Sequence, residues 1–247
     1  MRIHFLNVGF ADCILIESPL KEFLLIDAGP KERVRDVLSY LNSKGIDKIH
    51  KGILTHPHKN HLEGFLKLLE KLPIEEFYSN GDETRADEGY SLLIKSLNGK
   101  GIPIKILKQG SRLFLANGKI TMDILNPAHL SGSTNGNSLV IWLRYQQVSF
   151  LLTADITPPE QEKLIELFPE IQSSQCVQVP HHGGEISEKF AEFFKNKVFV
   201  ISTGANNYGI PSPKDIGKLK GKTLRTDKEG TIILETEGKK LKMTYDR

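Results

Sequence analysis

The chain has 247 residues, 39% of them hydrophobic and 26% charged, and 33 Lys plus Arg against 30 Asp plus Glu leave a net charge of +3. That length is enough to bury a substantial core, and a charge so close to neutral does not by itself point to nucleic acid. Cys13 and Cys176 stand far apart in apolar runs, which suits reduced core thiols in a cytoplasmic protein better than a disulfide framework; no apolar run reaches the roughly 18 residues of a membrane span, and Met1-Arg2-Ile3-His4 enters a strand pattern at once, without room for a signal peptide.

The N-terminal third reads as strands over Ile3 to Asn7, Asp12 to Glu17 and Glu22 to Asp27, a helix over Glu32 to Ser43, a strand ending at Leu54, and a helix from about Leu62 to Lys71. A helix around Ala86 to Leu97 follows, then short strands near Ile104 to Leu107 and Ile120 to Leu125. Ser138 to Tyr145 pairs with Val148 to Thr153 as a hairpin across Gln146-Gln147. Thr157 is a good N-cap and Pro158 a good first helical residue, which predicts a helix to Phe168. The last third repeats the scheme with Cys176 to Val179, a helix over Ser187 to Lys195, and Val198 to Ser202. Short strands around Leu224, Thr231 to Glu235 and Leu241 to Tyr245 close it. With no repeat, low-complexity tract or Pro/Ser-rich linker, the whole chain, 1–247, reads as a single two-layered α/β domain.

Thr55-His56-Pro57-His58-Lys59-Asn60-His61 follows the apolar run Gly52-Ile53-Leu54 and brings three imidazoles within six positions. Pro57 disfavours helix at His56, so the cluster is expected on a loop at a strand end, where neutral imidazoles can turn to one divalent metal. Polar residues recur at other strand ends: Asp27 after Phe23 to Ile26, Asp155 after Phe150 to Leu152, His181-His182-Gly183 after Val177 to Val179, and Ser202 to Tyr208 after Phe199 to Ile201. Strand ends of one α/β sheet converge on one edge, where such folds place ligands. Thr157 already caps the next helix, which leaves the Asp155 side chain available. Asp27 is expected behind a ligand, accepting the other N–H of an imidazole. His4, His50 and His129 read as structural.

These motifs, in this order, resemble the metallo-β-lactamase fold, most closely the C-terminal metallo-β-lactamase-like domain of the ComEC DNA-internalisation competence proteins. The carriers include His4 to Asp12, Leu24 to Gly29, His56 to His61, Asn135 to Val140, Leu151 to Asp155, Val179 to Gly183, Asn206 to Gly209 and Arg225-Thr226-Asp227. The resemblance implies an αββα sandwich of two mixed sheets with flanking helices, a metal site at one edge, and hydrolysis of a phosphodiester or nucleic acid. It places His56, His58, His61, Asp155 and His181 at ligand positions, with Asp155 as the bridging carboxylate. Asn60, Asp155 and His182 fall at catalytic positions, Asp12 and Asp27 behind the ligands, and Asn135, Ser138, Asn206, Tyr208 and Arg225 at substrate positions.

The departures carry information of their own. The family pattern has Asp at the positions of Asn7 and Asn60, Gly-Gln-Gly-Asp where this chain reads Gly9-Phe10-Ala11-Asp12, His at the position of Ile210, and in the competence branch usually Asp at His58. Three ligand-region carboxylates are thereby reduced to Asp155. Two divalent cations held close together repel, and fewer anionic ligands offset that repulsion, so one ion is expected. Imidazole-rich ligation favours Zn²⁺, with Mn²⁺ as the alternative. Asn60 cannot act as a base at neutral pH. The expected activity is metal-dependent phosphodiester hydrolysis; the competing readings are a non-catalytic binding or regulatory module that kept the fold, and a lactonase or thioesterase. Lys214, Lys218, Lys220 and Lys222 with Arg225 read equally as a phosphate track or a solvated face. No membrane is expected as a partner.

Overall fold

The computed structural model of the chain describes residues 1–83 and 88–246. Two mixed sheets face each other, and helices cover the outer side of each, as the resemblance implies. The first sheet contains β1 (Arg2–Phe5), β2 (Ile14–Glu17), β3 (Phe23–Ile26), β4 (Ile49–Leu54), β5 (Ile74–Ser79), β6 (Ile104–Ile106), and the late strands β14 (Thr231–Thr236) and β15 (Leu241–Asp246). Its order is β15-β14-β1-β2-β3-β4-β5-β6, parallel from β3 to β6 and antiparallel elsewhere. The second sheet contains β7 (Arg112–Leu115), β8 (Ile120–Asn126), β9 (Val140–Tyr145), β10 (Val148–Leu152), β11 (Cys176–Gln178), β12 (Val198–Ile201) and β13 (Lys222–Arg225). Its order is β13-β12-β11-β10-β9-β8-β7.

Alternation along the strands divides the core into layers. Ile14, Ile16, Leu24 and Ile26 point between the sheets, where they meet Ile141, Leu143 and Phe150. Leu15, Phe23 and Leu25 point outward, into the layer that Val37 and Leu41 of α1 (Val34–Ser43), Phe65 and Leu68 of α2 (Lys59–Lys71), and Leu93 and Leu97 of α3 (Glu88–Gly99) complete. On the far side, Leu164 of α4 (Pro158–Leu167) and Phe190 of α5 (Glu188–Phe193) cover Val177 and Phe199. No helix among the described residues is long and apolar enough to cross a membrane.

The structure differs from the sequence reading at several elements. β5 was not anticipated, because Glu75 and Glu76 interrupt its apolar pattern; in the sheet, Glu76 accepts hydrogen bonds from Lys51 and Lys105 on the two neighbouring strands, each at 2.7 Å. β7 and the short helices α6 (Pro213–Lys218) and α7 (Thr226–Glu229) also lie outside the sequence reading. Helix α2 starts at Lys59 rather than Leu62, so His61 sits in its first turn and only His56 and His58 lie on the loop. The expected helix start at Ala86 lies outside the described residues. Thr157 precedes α4 as expected, but its hydroxyl donates to the Glu160 carboxylate rather than accepting from the backbone.

One close approach seats the metal-facing edge. The Gly64 amide donates to Gly29 O at 2.8 Å, and the Ala28 amide donates to His61 O at 2.9 Å, so the start of α2 lies against the exit of β3. A Cβ on Gly64 would fall 2.0 Å from Ala28 O, so only glycine permits that contact. The helix therefore lays His61 directly over Asp27.

Candidate metal centre

The segments that follow β1, β4, β8, β10, β11 and β12 meet in a cleft of about 420 Å³, whose lining includes His58, Asn60, Asn135, Asp155, His181 and His182. Asp155, following β10, is its centre. Its Oδ2 stands 3.4 Å from His61 Nε2 and 3.6 Å from the Nε2 atoms of both His56 and His182. Two ligand groups share this carboxylate: His56 with His58, and His61 with His182. Donor atoms arranged tetrahedrally at zinc bond lengths lie ~3.3 Å apart, so these separations suit a small cation held between them.

The rings are fixed from behind. Asp27, fully buried and with a left-handed φ of 53°, accepts from the Thr55 amide at 2.8 Å, the Thr55 hydroxyl at 2.7 Å and His61 Nδ1 at 2.7 Å. Because the Thr55 hydroxyl donates to Asp27, it accepts from His56 Nδ1 at 3.0 Å. Asp27 thus sets two imidazoles in the tautomer whose Nε2 lone pair faces Asp155. His182 is set by a third route, with Nδ1 donating to Ser202 O at 2.9 Å. Asp12 lies deeper, where its Oδ2 accepts from Gln178 Nε2 at 2.8 Å.

The electrostatics agree with a cation position. Burial opposes charge on His61, but Asp155 and Asp27 outweigh it and hold its pKa well above the usual imidazole value. Burial also opposes ionisation of Asp155, yet the facing His182 and His61 rings keep its carboxyl well below the normal range. Burial, then His61, push His56 well down, leaving a neutral ring with a lone pair to offer. A field that draws a proton onto His61 Nε2 draws a metal ion to the same place. Both His61 Nε2 and Asp155 Oδ1 are buried polar atoms with no hydrogen-bond partner, as ligand atoms aimed at an ion would be.

Several sequence-derived positions move. The ring grouped with His61 and Asp155 is His182, whereas His181, expected among the ligands, accepts at Nε2 from Asn135 Nδ2 at 3.3 Å. Both histidines adopt left-handed backbone, with φ of 50° and 56°, and two successive residues in that conformation turn the second ring inward, a reversal that sequence order does not reveal. Arg225 is not among the cleft-lining residues; it donates to both carboxylate oxygens of Asp227, at 2.9 and 2.6 Å. Lys218 pairs with Asp215 and Lys220 with Glu192, and none of Lys214, Lys218, Lys220 and Lys222 is among the cleft-lining residues. Asn206 braces its own loop, and Tyr208 stands at the cleft rim. Ser138 is buried and accepts from the Asp155 amide at 3.3 Å, which supports the carboxylate rather than facing substrate. Asn60 is turned inward, its Nδ2 3.2 Å from His182 Nε2 and 3.4 Å from Phe10 O.

Sequence reasoning missed the support of the Asn135 loop. Asn80 donates to Asn137 O at 2.8 Å, and Asn137 donates to Asp82 at 2.7 Å; all three are buried. Both Asn80 and Asp82 follow β5, the strand that the sequence pattern hid.

Comparison with known proteins agrees with this fold. The sequence profile described as the Metallo-beta-lactamase superfamily matches residues 6–205. ComE operon protein 3 of Bacillus subtilis is 28% identical over 203 residues, 79% of this chain; the chain spans only 26% of that protein's length. Among solved structures, the metallo-beta-lactamase fold protein YhfI of Bacillus subtilis superposes with a TM-score of 0.62 at 11% identity, covering 94% of this chain and 99% of that one. Zn²⁺-bound PqqB from Methylobacterium extorquens gives a TM-score of 0.60 at 10% identity, covering 96% and 100%. At these identities the two structures speak for the fold alone, while the profile spans most of the sequence: the chain belongs to the metallo-beta-lactamase superfamily.

Proposed function

We propose that this chain is a metal-dependent hydrolase of phosphodiesters that works with one tightly held Zn²⁺, Mn²⁺ being the alternative. The observation that carries this reading is the pair of imidazole groups that share one ionised carboxylate, Asp155: His56 with His58, which would hold the ion, and His61 with His182 beside it. A divalent cation held there supplies the acidified water and the Lewis acid that phosphoryl hydrolysis needs. The chain supplies the rest. Asp27 and Ser202 fix the ring tautomers, Asp155 balances positive charge, and Asn135 with His181 forms a polar wall suited to meeting substrate oxygens. One ion is favoured because, among the described residues, Asp155 is the one carboxylate in either ligand group around the cleft centre, and because the Asn60 amide donates to the His182 lone pair that a second ion would use.

The test pairs elemental analysis of the purified chain with hydrolysis of bis(4-nitrophenyl) phosphate. The expected result is about one zinc per chain, with activity lost on chelation and restored by zinc. A folded chain that retains no metal and hydrolyses no phosphodiester, lactone or thioester would instead assign the cleft to recognition, and turnover of a lactone or thioester alone would reassign the substrate.

Asp27→Asn provides a sharper check on how the rings are held. The Thr55 hydroxyl and His61 Nδ1 share Asp27 Oδ2 while the Thr55 amide takes Oδ1, so the amide of the variant either turns its N–H on both imidazole-side partners or sets it against the Thr55 N–H, and in both orientations the charge behind His61 is lost. Zinc affinity, measured against a competing chelator, is expected to fall by about 10- to 100-fold. An unchanged affinity would show that packing alone orients the rings.

A further inference from the structure

The cleft has a second wall of a different character. Phe10, Tyr208 and Ile210 line it beside the imidazoles. The Phe10 ring lies between two others, its centroid 4.5 Å from His182 and 5.5 Å from Tyr208, with the Phe10 and Tyr208 planes inclined by 34°. Tyr208 is 76% exposed, so most of its surface has no protein neighbour.

An exposed tyrosine on a loose loop would be unremarkable, but this loop is braced. Asn206 Oδ1 accepts from the amides of Tyr208 at 2.9 Å and Ile210 at 3.3 Å, while its Nδ2 donates to Gly204 O at 2.9 Å and Ile210 O at 2.5 Å. The same loop is packed onto the loop that carries Phe10, since a Cβ on Gly204 would lie 2.5 Å from Gly9 Cα. The wall is therefore one preformed unit.

We propose that the Phe10–Tyr208 pair is a specificity-determining platform that selects substrates carrying an uncharged planar ring beside the scissile group. The inference rests on the hydrolase reading for the reaction, but the platform itself requires only binding. A planar ring laid on Tyr208 covers exposed aromatic surface and gains the offset or edge contact that aromatic pairs favour. An anionic group placed there would lose its hydration against Phe10 and Ile210 without gaining a partner from them. The cleft volume of about 420 Å³ suits one such small molecule.

The experiment measures binding of diphenyl phosphate and dicyclohexyl phosphate to the full, metal-loaded chain by calorimetry. The two probes share charge and carbon count, and only the first has planar rings. The wild type is expected to prefer diphenyl phosphate by about fivefold. Tyr208→Ala and Phe10→Gln are each expected to cut that preference to less than about twofold, whereas Tyr208→Phe, which keeps the ring and loses the hydroxyl, retains it. Equal binding of the two probes by the wild type, binding of neither, or a preference unchanged in both Tyr208→Ala and Phe10→Gln overturns the platform. Ring preference without any ester hydrolysis supports the platform and defeats the hydrolase reading; hydrolysis without ring preference does the reverse.

Discussion

Asp155→Asn is expected to strip the metal from the cleft and to lower phosphodiester hydrolysis by roughly 10³-fold or more, the scale of the several kcal/mol that metal assistance supplies. The substitution keeps the side-chain volume and removes only the charge. That charge is shared: His56, His61 and His182 all direct Nε2 to the same Asp155 oxygen, at 3.4 to 3.6 Å, and among the described residues neither ligand group around it contains another carboxylate. Elemental analysis and the hydrolysis rate check the two parts separately. If metal is retained at wild-type occupancy, the imidazoles alone hold it and the carboxylate is not the centre of the site.

The same variant has a pH signature in the chelated protein. The Asp155 carboxyl is depressed in the folded chain because His182 and His61 outweigh its burial. A depressed carboxyl contributes stability that is present above its unfolded value of about 4 and is lost as pH falls through the folded value. His61 works in the opposite sense. Its pKa is raised, so its contribution is complete below about 6.5 and is lost as pH rises through the folded value. The wild type should therefore exceed Asp155→Asn in urea midpoint most clearly between about pH 4 and 6.5, with the gap closing in stronger acid. A gap that widens below about pH 4 would mean that Asp155 is not held ionised.

Much of the fold was legible because alternation and turn chemistry act locally. Ile14 to Ile26 alternate between two buried layers, and Pro158 marks the start of α4, so those elements could be read from their own residues. Elements stabilised from outside could not. β5 carries Glu75 and Glu76, whose charges are met by Lys48, just before β4, and by Lys51 and Lys105 on the neighbouring strands, and no property of Ile74–Ser79 alone announces that pairing. The site shows the same division. The spacing of His56, His58 and His61 pointed to a metal, and the strand-end position of Asp27 placed it behind them. The choice between His181 and His182 depends on two consecutive left-handed residues before Gly183, whose own Cβ, if present, would lie 2.5 Å from Pro211 Cβ. That contact joins segments almost thirty residues apart, and adjacent identical side chains offer no local hint of which one turns inward.

Asn60→Asp is expected to raise the metal content from about one to about two ions per chain and to increase phosphodiester hydrolysis by at least about tenfold. The amide nitrogen of Asn60 donates to His182 Nε2 at 3.2 Å and lies 3.4 Å from Phe10 O. It therefore covers the lone pair that a second ion, held by His61, His182 and Asp155, would need. A carboxylate cannot donate to either neighbour. Facing a lone pair on His182 and a carbonyl oxygen on Phe10, it would favour a cation held by the His61, His182 and Asp155 group, and its negative charge would offset the repulsion between two ions. Once there, it can accept a proton from the attacking water, which the amide cannot do at neutral pH. If metal content rises while the rate stays flat, Asn60 governs occupancy alone and the reaction runs at the first ion. If neither changes, the apolar wall at Phe10 and Ile210, rather than the missing charge, keeps the second position closed; restoring the polar residue by Phe10→Gln in the Asn60→Asp background is then the change expected to open it.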